Sequence, residues 1–248
     1  MKRAWIGLRE QPHYRRDAFA EGARRVGYAP QYGLTMQPGD SDILVIWNRF
    51  NGADDAASAF EQRGLPVLVA ENGYLGNDFA GDRWYAISRN HHNGAGSWNN
   101  YGSARWDSLG IELLPYRTEG SELVLLPQRG IGERGVAMPH DWTAAAARRS
   151  NGRVRLHPGT RDCVPLEKDL AHARAVYTWG SGAAIKALAW GIPAYSDMPN
   201  WIAASAAARF GEEPKRCELA RLQMFRRLAW AMWRLKEIES GFAYDVLL

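Results

Sequence analysis

Tyr177-Thr178-Trp179-Gly180-Ser181-Gly182-Ala183-Ala184-Ile185-Lys186-Ala187-Leu188-Ala189-Trp190-Gly191-Ile192-Pro193-Ala194-Tyr195 reads as a strand, a small-residue turn, a helix opening at that turn, and a second strand after Gly191. Strand, crossover helix and strand in one short run predict a parallel sheet. The Gly180-Ser181-Gly182 turn leaves unpaired backbone N–H groups at the positive end of a helix dipole. Such a corner binds phosphate or another anion without a basic side chain. Lys186 lies roughly one turn into the helix, where it either reaches such an anion or stays solvated.

The same alternation runs upstream. Residues 4–8 read as a strand and 16–26 as an amphipathic helix with Phe19, Ala23 and Val26 on one face. The apolar run at 42–47 has the character of a strand buried on both sides. Residues 53–63 read as a helix stopped by Gly64, and 66–70 as the next strand, ending at Glu71. From 72 to about 120 the pattern dissolves into Gly, Asn, Trp and charged residues, the mark of a long loop that is functional or mobile. A second series follows: a strand at 123–126, a helix at 142–149, a strand at 154–156, a helix from 166 to 173, and then the opening stretch. Leu219, Leu222, Phe225, Leu228, Met232 and Leu235 recur at helical spacing and predict one long helix over 217–239. The expected fold is α/β with two Rossmann-like domains, 1–119 and 120–248, the last helix crossing back to the first.

Composition narrows the function classes. The 248 residues carry a formal charge of +4, which suits a polyanionic partner without requiring one. No apolar run approaches the roughly 18 residues of a membrane span, so no transmembrane segment is expected. Cys163 and Cys217 are the two cysteines and lack metal-ligand spacing, which reads as a reducing cytoplasm. Asp40-Ser41-Asp42 matches an Asp-X-Asp metal pattern but precedes its strand instead of ending one, so no metal is expected there.

In open parallel sheets, ligands bind beyond the carboxyl ends of the strands. Glu71, in Ala70-Glu71-Asn72-Gly73-Tyr74, stands at such an end, as a general base or as a cap of the following turn. His157, before Pro158-Gly159, ends another predicted strand and offers an imidazole to a phosphate or ribose oxygen. Gln128-Arg129-Gly130-Ile131-Gly132 follows the first strand of the second half; Arg129 there neutralises a diphosphate or decorates a surface turn. Arg89, His91, His92 and Trp98 gather cation, imidazoles and a ring in one loop, an acceptor-binding loop or a solvated one.

The Glu-Asn-Gly, His-Pro and Gly-Ser-Gly elements, in that order, resemble the motif set of GT-B glycosyltransferases related to bacterial sialyltransferases and capsule Kdo transferases. The resemblance covers residues 64–76 and 123–241 and includes Ala187-Leu188-Ala189-Trp190-Gly191-Ile192-Pro193 and Glu237-Ile238-Glu239-Ser240-Gly241. It implies Glu71 as catalytic base, His157 and Pro158 as donor contacts, and Ser181 with Gly182 as the phosphate corner. Gln128, Arg129, Gly130, Gly180 and Lys186 complete the expected donor set. Asn72 replaces the family's second acid, Gly182 a second hydroxyl residue, and Lys186 a common carboxylate, which leaves the donor open among CMP-, UDP- and other nucleotide sugars. The expected activity is inverting sugar transfer to a hydroxyl, with the nucleotide sugar as co-substrate and no metal or other cofactor. The acceptor is either a glycan or a modified DNA base, the latter as in phage DNA glucosyltransferases. The alternative is a non-catalytic nucleotide- or nucleic-acid-binding module on the same fold.

Overall fold

The computed structural model describes every residue except 80, 92–97, 133–134 and 157–163. The chain forms two compact units, Met1–Tyr101 with Ala229–Leu248, and Gly102–Leu228. No helix among the described residues is long and apolar enough to cross a membrane.

The first unit opens with β1 (Arg3–Ile6), a 3-10 turn at Pro12–Tyr14, α1 (Arg16–Arg25), β2 (Ala29–Tyr32), β3 (Ile43–Trp47), α2 (Gly52–Glu61), β4 (Val67–Asn72), β5 (Asp78–Phe79) and β6 (Asp82–Arg89). Strands β2, β1, β3 and β4 lie side by side in that order, all parallel. β3 explains its own unbroken apolar run: Ile43 and Val45 enter the core on one face, Leu44 and Ile46 the core on the other. β6 then pairs antiparallel with β4, and β5 with β6. Residues 72–89 are therefore not a continuous loop. The charged ends of Asp82-Arg83-Trp84-Tyr85-Ala86-Ile87-Ser88-Arg89 hide a strand whose middle, Trp84 to Ser88, is buried.

The second unit contains α3 (Ala104–Asp107), β7 (Glu122–Leu126), α4 (Trp142–Ser150), β8 (Arg153–Val154), α5 (Leu166–Asp169), β9 (Ala173–Thr178), α6 (Gly182–Ala189), β10 (Ala194–Ser196), β11 (Ala207–Ala208) and α7 (Glu218–Ala229), whose last residue belongs to the first unit. Its sheet has the order β8-β7-β9-β10-β11 and every pairing is parallel. Leu123, Leu125, Trp142, Ala146, Ala175 and Tyr177 form a core cluster against this sheet.

The chain ends with β12 (Met232–Arg234), α8 (Leu235–Glu239) and α9 (Phe242–Leu247). The single long helix expected over 217–239 is thus broken after Ala229. Its apolar spacing runs on through Met232 and Leu235, but Met232–Arg234 extends and pairs antiparallel with Ala86, Tyr85 and Trp84 of β6. The Ile87 N–H donates to the Ala231 carbonyl at 3.0 Å in the same junction. Closing the open edge of β6 satisfies backbone groups that a continued helix would leave orphaned, and this outweighs local propensity. Beyond the strand, α8 packs onto α1 so closely that a Cβ at Gly22 would lie 1.9 Å from the Ile238 carbonyl oxygen.

Candidate functional site

Both sheets reverse their direction of growth at one place. In the first, β2 lies on one side of β1 and β3 on the other; in the second, β8 and β9 flank β7 in the same way. A doubly wound sheet opens a crevice outside the carboxyl ends of the strands at that switch point.

At the second sheet's switch point the loops after β7 and β9 meet. The Gln128 side-chain amide donates to the Gly180 carbonyl at 3.2 Å, and the Thr178 hydroxyl donates to the Leu126 carbonyl at 2.7 Å. Trp179 steadies the β7 loop further along, its indole N–H donating to the Val136 carbonyl at 2.7 Å. Gly130 takes a left-handed backbone, φ +66°, which glycine adopts without strain. Arg129 is exposed and has no ion-pair partner among the described residues. The buried Oε1 of Gln128 has no hydrogen-bond partner among them either.

The helix corner is more selective than its sequence suggests. Ser181 N-caps α6: its hydroxyl accepts from the Ala183 N–H at 3.2 Å. The Ser181 N–H is taken by the Thr178 hydroxyl at 2.9 Å, and the Ala184 N–H by the Ser181 carbonyl at 3.0 Å. The Gly182 N–H is the one left without a partner among the described residues. A Cβ at Gly182 would meet nothing within 4 Å, so this position faces open space. Gly180 has a packing reason instead, since a Cβ there would lie 2.3 Å from the Met198 sulfur. Lys186 falls four residues after Gly182, hence on the same face of α6 with its side chain leaning towards the helix N-terminus. It is half-buried, and burial lowers its pKa. No anionic partner accompanies it among the described residues. A ligand phosphate would supply one.

In the first unit Trp47 pairs with Ala70, so Glu71 stands one residue past the end of β3, partly exposed and opposite Ala86. The two residues after it build a tight turn. The Asn77 side chain accepts from the Gly73 N–H at 2.8 Å and donates to the Asn72 side-chain oxygen at 2.8 Å. A Cβ at Gly73 would lie 2.4 Å from the Gly76 carbonyl oxygen. Asn72 and Gly73 therefore have structural work. Beside Glu71 lies the buried Tyr74 hydroxyl, whose pKa burial raises first and the Glu71 charge raises further, against a hydrogen bond with Ser88.

Of the expected acceptor residues, Arg89 stands at the other end of β4 from Glu71. Arg89 pairs with Leu68, at the amino end of β4, while Glu71 pairs with Ala86 near its carboxyl end. Antiparallel pairing of β6 carries Arg89 away from that rim, roughly 10 Å along the strand. His91 follows it, and Trp98 precedes Asn99, which donates to the Val246 carbonyl at 2.9 Å. His92 lies outside the described residues, as do His157 and Pro158. Of the Asp-X-Asp pair, Asp40 ion-pairs with Arg63, and Asp42 is buried and receives hydrogen bonds from Arg3, Trp5 and the Gly39 N–H. Burial works to raise the Asp42 pKa, and these donors outweigh it, so the carboxylate sits below its ordinary range.

The whole chain aligns with two solved structures from Thermosulfurimonas dismutans KpsC. The β-Kdo 2,4 transferase matches with a TM-score of 0.54 and 16% identity, covering 99% of this chain and 98% of that one. The β-Kdo 2,7 transferase matches with a TM-score of 0.55 and 11% identity, covering 98% of this chain and 99% of that one. No protein-family profile and no curated protein sequence matches the chain. The chain shares its mixed α/β architecture with these two structures. Neither neighbour is a sialyltransferase or a DNA-modifying enzyme.

Proposed function

We propose that the protein is a glycosyltransferase that moves a sugar from a nucleotide-sugar donor to a hydroxyl of a glycan. The observation that supports this is the switch point of the second sheet, where the loops after β7 and β9 meet and the Gly182 N–H, Arg129, Lys186 and the buried Gln128 Oε1 have no partner among the described residues. The donor phosphate sits against the Gly182 N–H at the positive end of α6, with Arg129 and Lys186 as counter-charges. Gln128 Oε1 accepts from a hydroxyl or amine of the nucleoside. Glu71 takes the proton of the acceptor hydroxyl as its oxygen attacks the anomeric carbon. The bond from that carbon to the phosphate oxygen breaks, the configuration inverts, and the nucleotide leaves with the negative charge that the corner stabilises. The scheme draws on no metal ion. That the two structures compared above are Kdo transferases favours a glycan over DNA as acceptor.

Arg129→Ala removes a charge-assisted contact to the leaving phosphate and is expected to weaken nucleotide-sugar binding by roughly tenfold or more. Lys186→Met acts in the same direction. Calorimetric titration with CMP-, UDP- and GDP-sugars measures both. Unchanged affinity in both variants removes the proposed seat; tight donor binding without any turnover leaves a nucleotide-binding module.

A further inference from the structure

The switch point of the first sheet holds an arrangement that the reaction above does not use. His13, in the loop between β1 and α1, is exposed, yet it is fixed from several sides. Its ring lies edge-on to Trp47, the last residue of β3, at 5.3 Å between centroids, and to Tyr14 at 5.2 Å. Its backbone carbonyl accepts from the hydroxyl of the buried Tyr85 at 2.8 Å. That hydroxyl accepts in turn from Arg83 Nε at 3.0 Å, and the same guanidinium reaches His13 Nδ1 at 3.3 Å. Asp78 balances Arg83 at 3.2 Å. Two residues on, Arg15 takes a left-handed backbone, φ 48°, a conformation seldom found outside glycine, asparagine and aspartate.

The chemistry of this ring follows from its neighbour. A guanidinium donates and never accepts, so His13 Nδ1 must be the acceptor. The proton then sits on Nε2, which becomes a fixed hydrogen-bond donor and not a base. Beside it stand Tyr14 and Trp47, both partly exposed residues, with their ring centroids 4.9 Å apart. A pinned N–H donor next to an aromatic wall suits one kind of ligand, a sugar ring that lays its C–H face on the rings and offers an oxygen to the N–H. Arg9 and Arg15 against Glu10 make the loop net positive, so a hydroxyl or a carboxylate oxygen suits it.

We propose that His13, backed by Trp47 and Tyr14 and held in its Nε2–H tautomer by Arg83, is a sugar-binding residue of the first unit. For its ligand class this rests on the glycosyltransferase reading; for its geometry it does not. The test is imidazole nitrogen NMR on the full chain, with methyl β-glucoside and methyl β-glucuronoside as probes. The wild type is expected to show the Nε2–H tautomer at His13, and Arg83→Met to lose that preference. At least one probe is expected to shift the Nε2 signal. His13→Ala should weaken its binding about fivefold, the worth of one hydrogen bond. His13→Gln, whose amide nitrogen reaches the Nε2 position, should restore it, whereas His13→Asn should not. A response to both probes points to a hydroxyl oxygen, and a response to the glucuronoside alone to a carboxylate. An Nδ1–H tautomer, no response to either probe, or equal binding by His13→Ala overturns the proposal. Donor titration of the same variants separates the outcomes: nucleotide sugars bound normally while His13 proves inert defeats this inference alone.

Discussion

Glu71→Gln is expected to lower the turnover number by at least about a hundredfold while leaving nucleotide-sugar affinity unchanged. The amide keeps the size and planarity of the carboxylate but cannot take a proton from the acceptor hydroxyl. The turn that follows is held by Asn72, Gly73 and Asn77. The second unit, which carries the proposed donor seat, contains no part of β4. Glu71→Asp, which keeps the charge and withdraws it by one methylene, should retain part of the activity. Steady-state kinetics beside calorimetric donor titration reads both quantities. Full turnover by the Gln variant would reduce Glu71 to a rim carboxylate.

Gly191→Ala is expected to destabilise the protein by about 3 kcal/mol or more. Gly191 follows the C-cap of α6 with φ +75°. Its N–H donates to the Leu188 carbonyl at 3.2 Å and the Ile192 N–H to the Ala187 carbonyl at 2.9 Å, a Schellman closure. A side chain in this backbone region costs about 1–2 kcal/mol by itself. The added Cβ would also lie 2.0 Å from the Pro115 carbonyl oxygen, which belongs to backbone and cannot rotate away. That segment is fixed: the Leu114 N–H donates to the Ala189 carbonyl at 2.9 Å, and the buried Arg221 donates to the Leu114 and Leu188 carbonyls. Thermal unfolding followed by circular dichroism should show a midpoint roughly 6–12 °C lower. A shift within about one degree would mean that residues 114–117 move freely off the helix end.

These two positions also show what a sequence can disclose. Gly191 and Gly180-Ser181-Gly182 punctuate one helix, so strand, corner, helix and stop could be read along a single stretch. β3 announced itself through Ile43 to Ile46, because burial on both faces leaves no polar position. Gln128 and Arg129 just past a strand, and Gly182 at the opening of a helix, could be located from sequence because the rule that ligands sit at carboxyl ends needs no partner strand. Their donor role is the proposal made above. What could not be read depends on distant pairing. β6 is a strand through its pairing with β4, and β12 through its pairing with β6: Trp84 to Ala86 meets Met232 to Arg234 some 150 residues on, and neither segment alternates cleanly. The antiparallel pairing of β6 with β4 placed Arg89 opposite Leu68, away from Glu71. His13 was silent for a related reason. Pro12-His13-Tyr14 looks like any turn until Arg83, seventy positions away, fixes its ring.

The central claim is that the second sheet's switch point seats a nucleotide sugar that the protein consumes. Release of free nucleotide from CMP-, UDP- and GDP-sugars by the purified wild-type protein, with Arg129→Ala alongside, tests it most directly. The account predicts turnover of at least one of these donors, reduced by roughly tenfold or more in the variant at subsaturating donor. Absence of binding and turnover for all three, or turnover indifferent to Arg129, would contradict it.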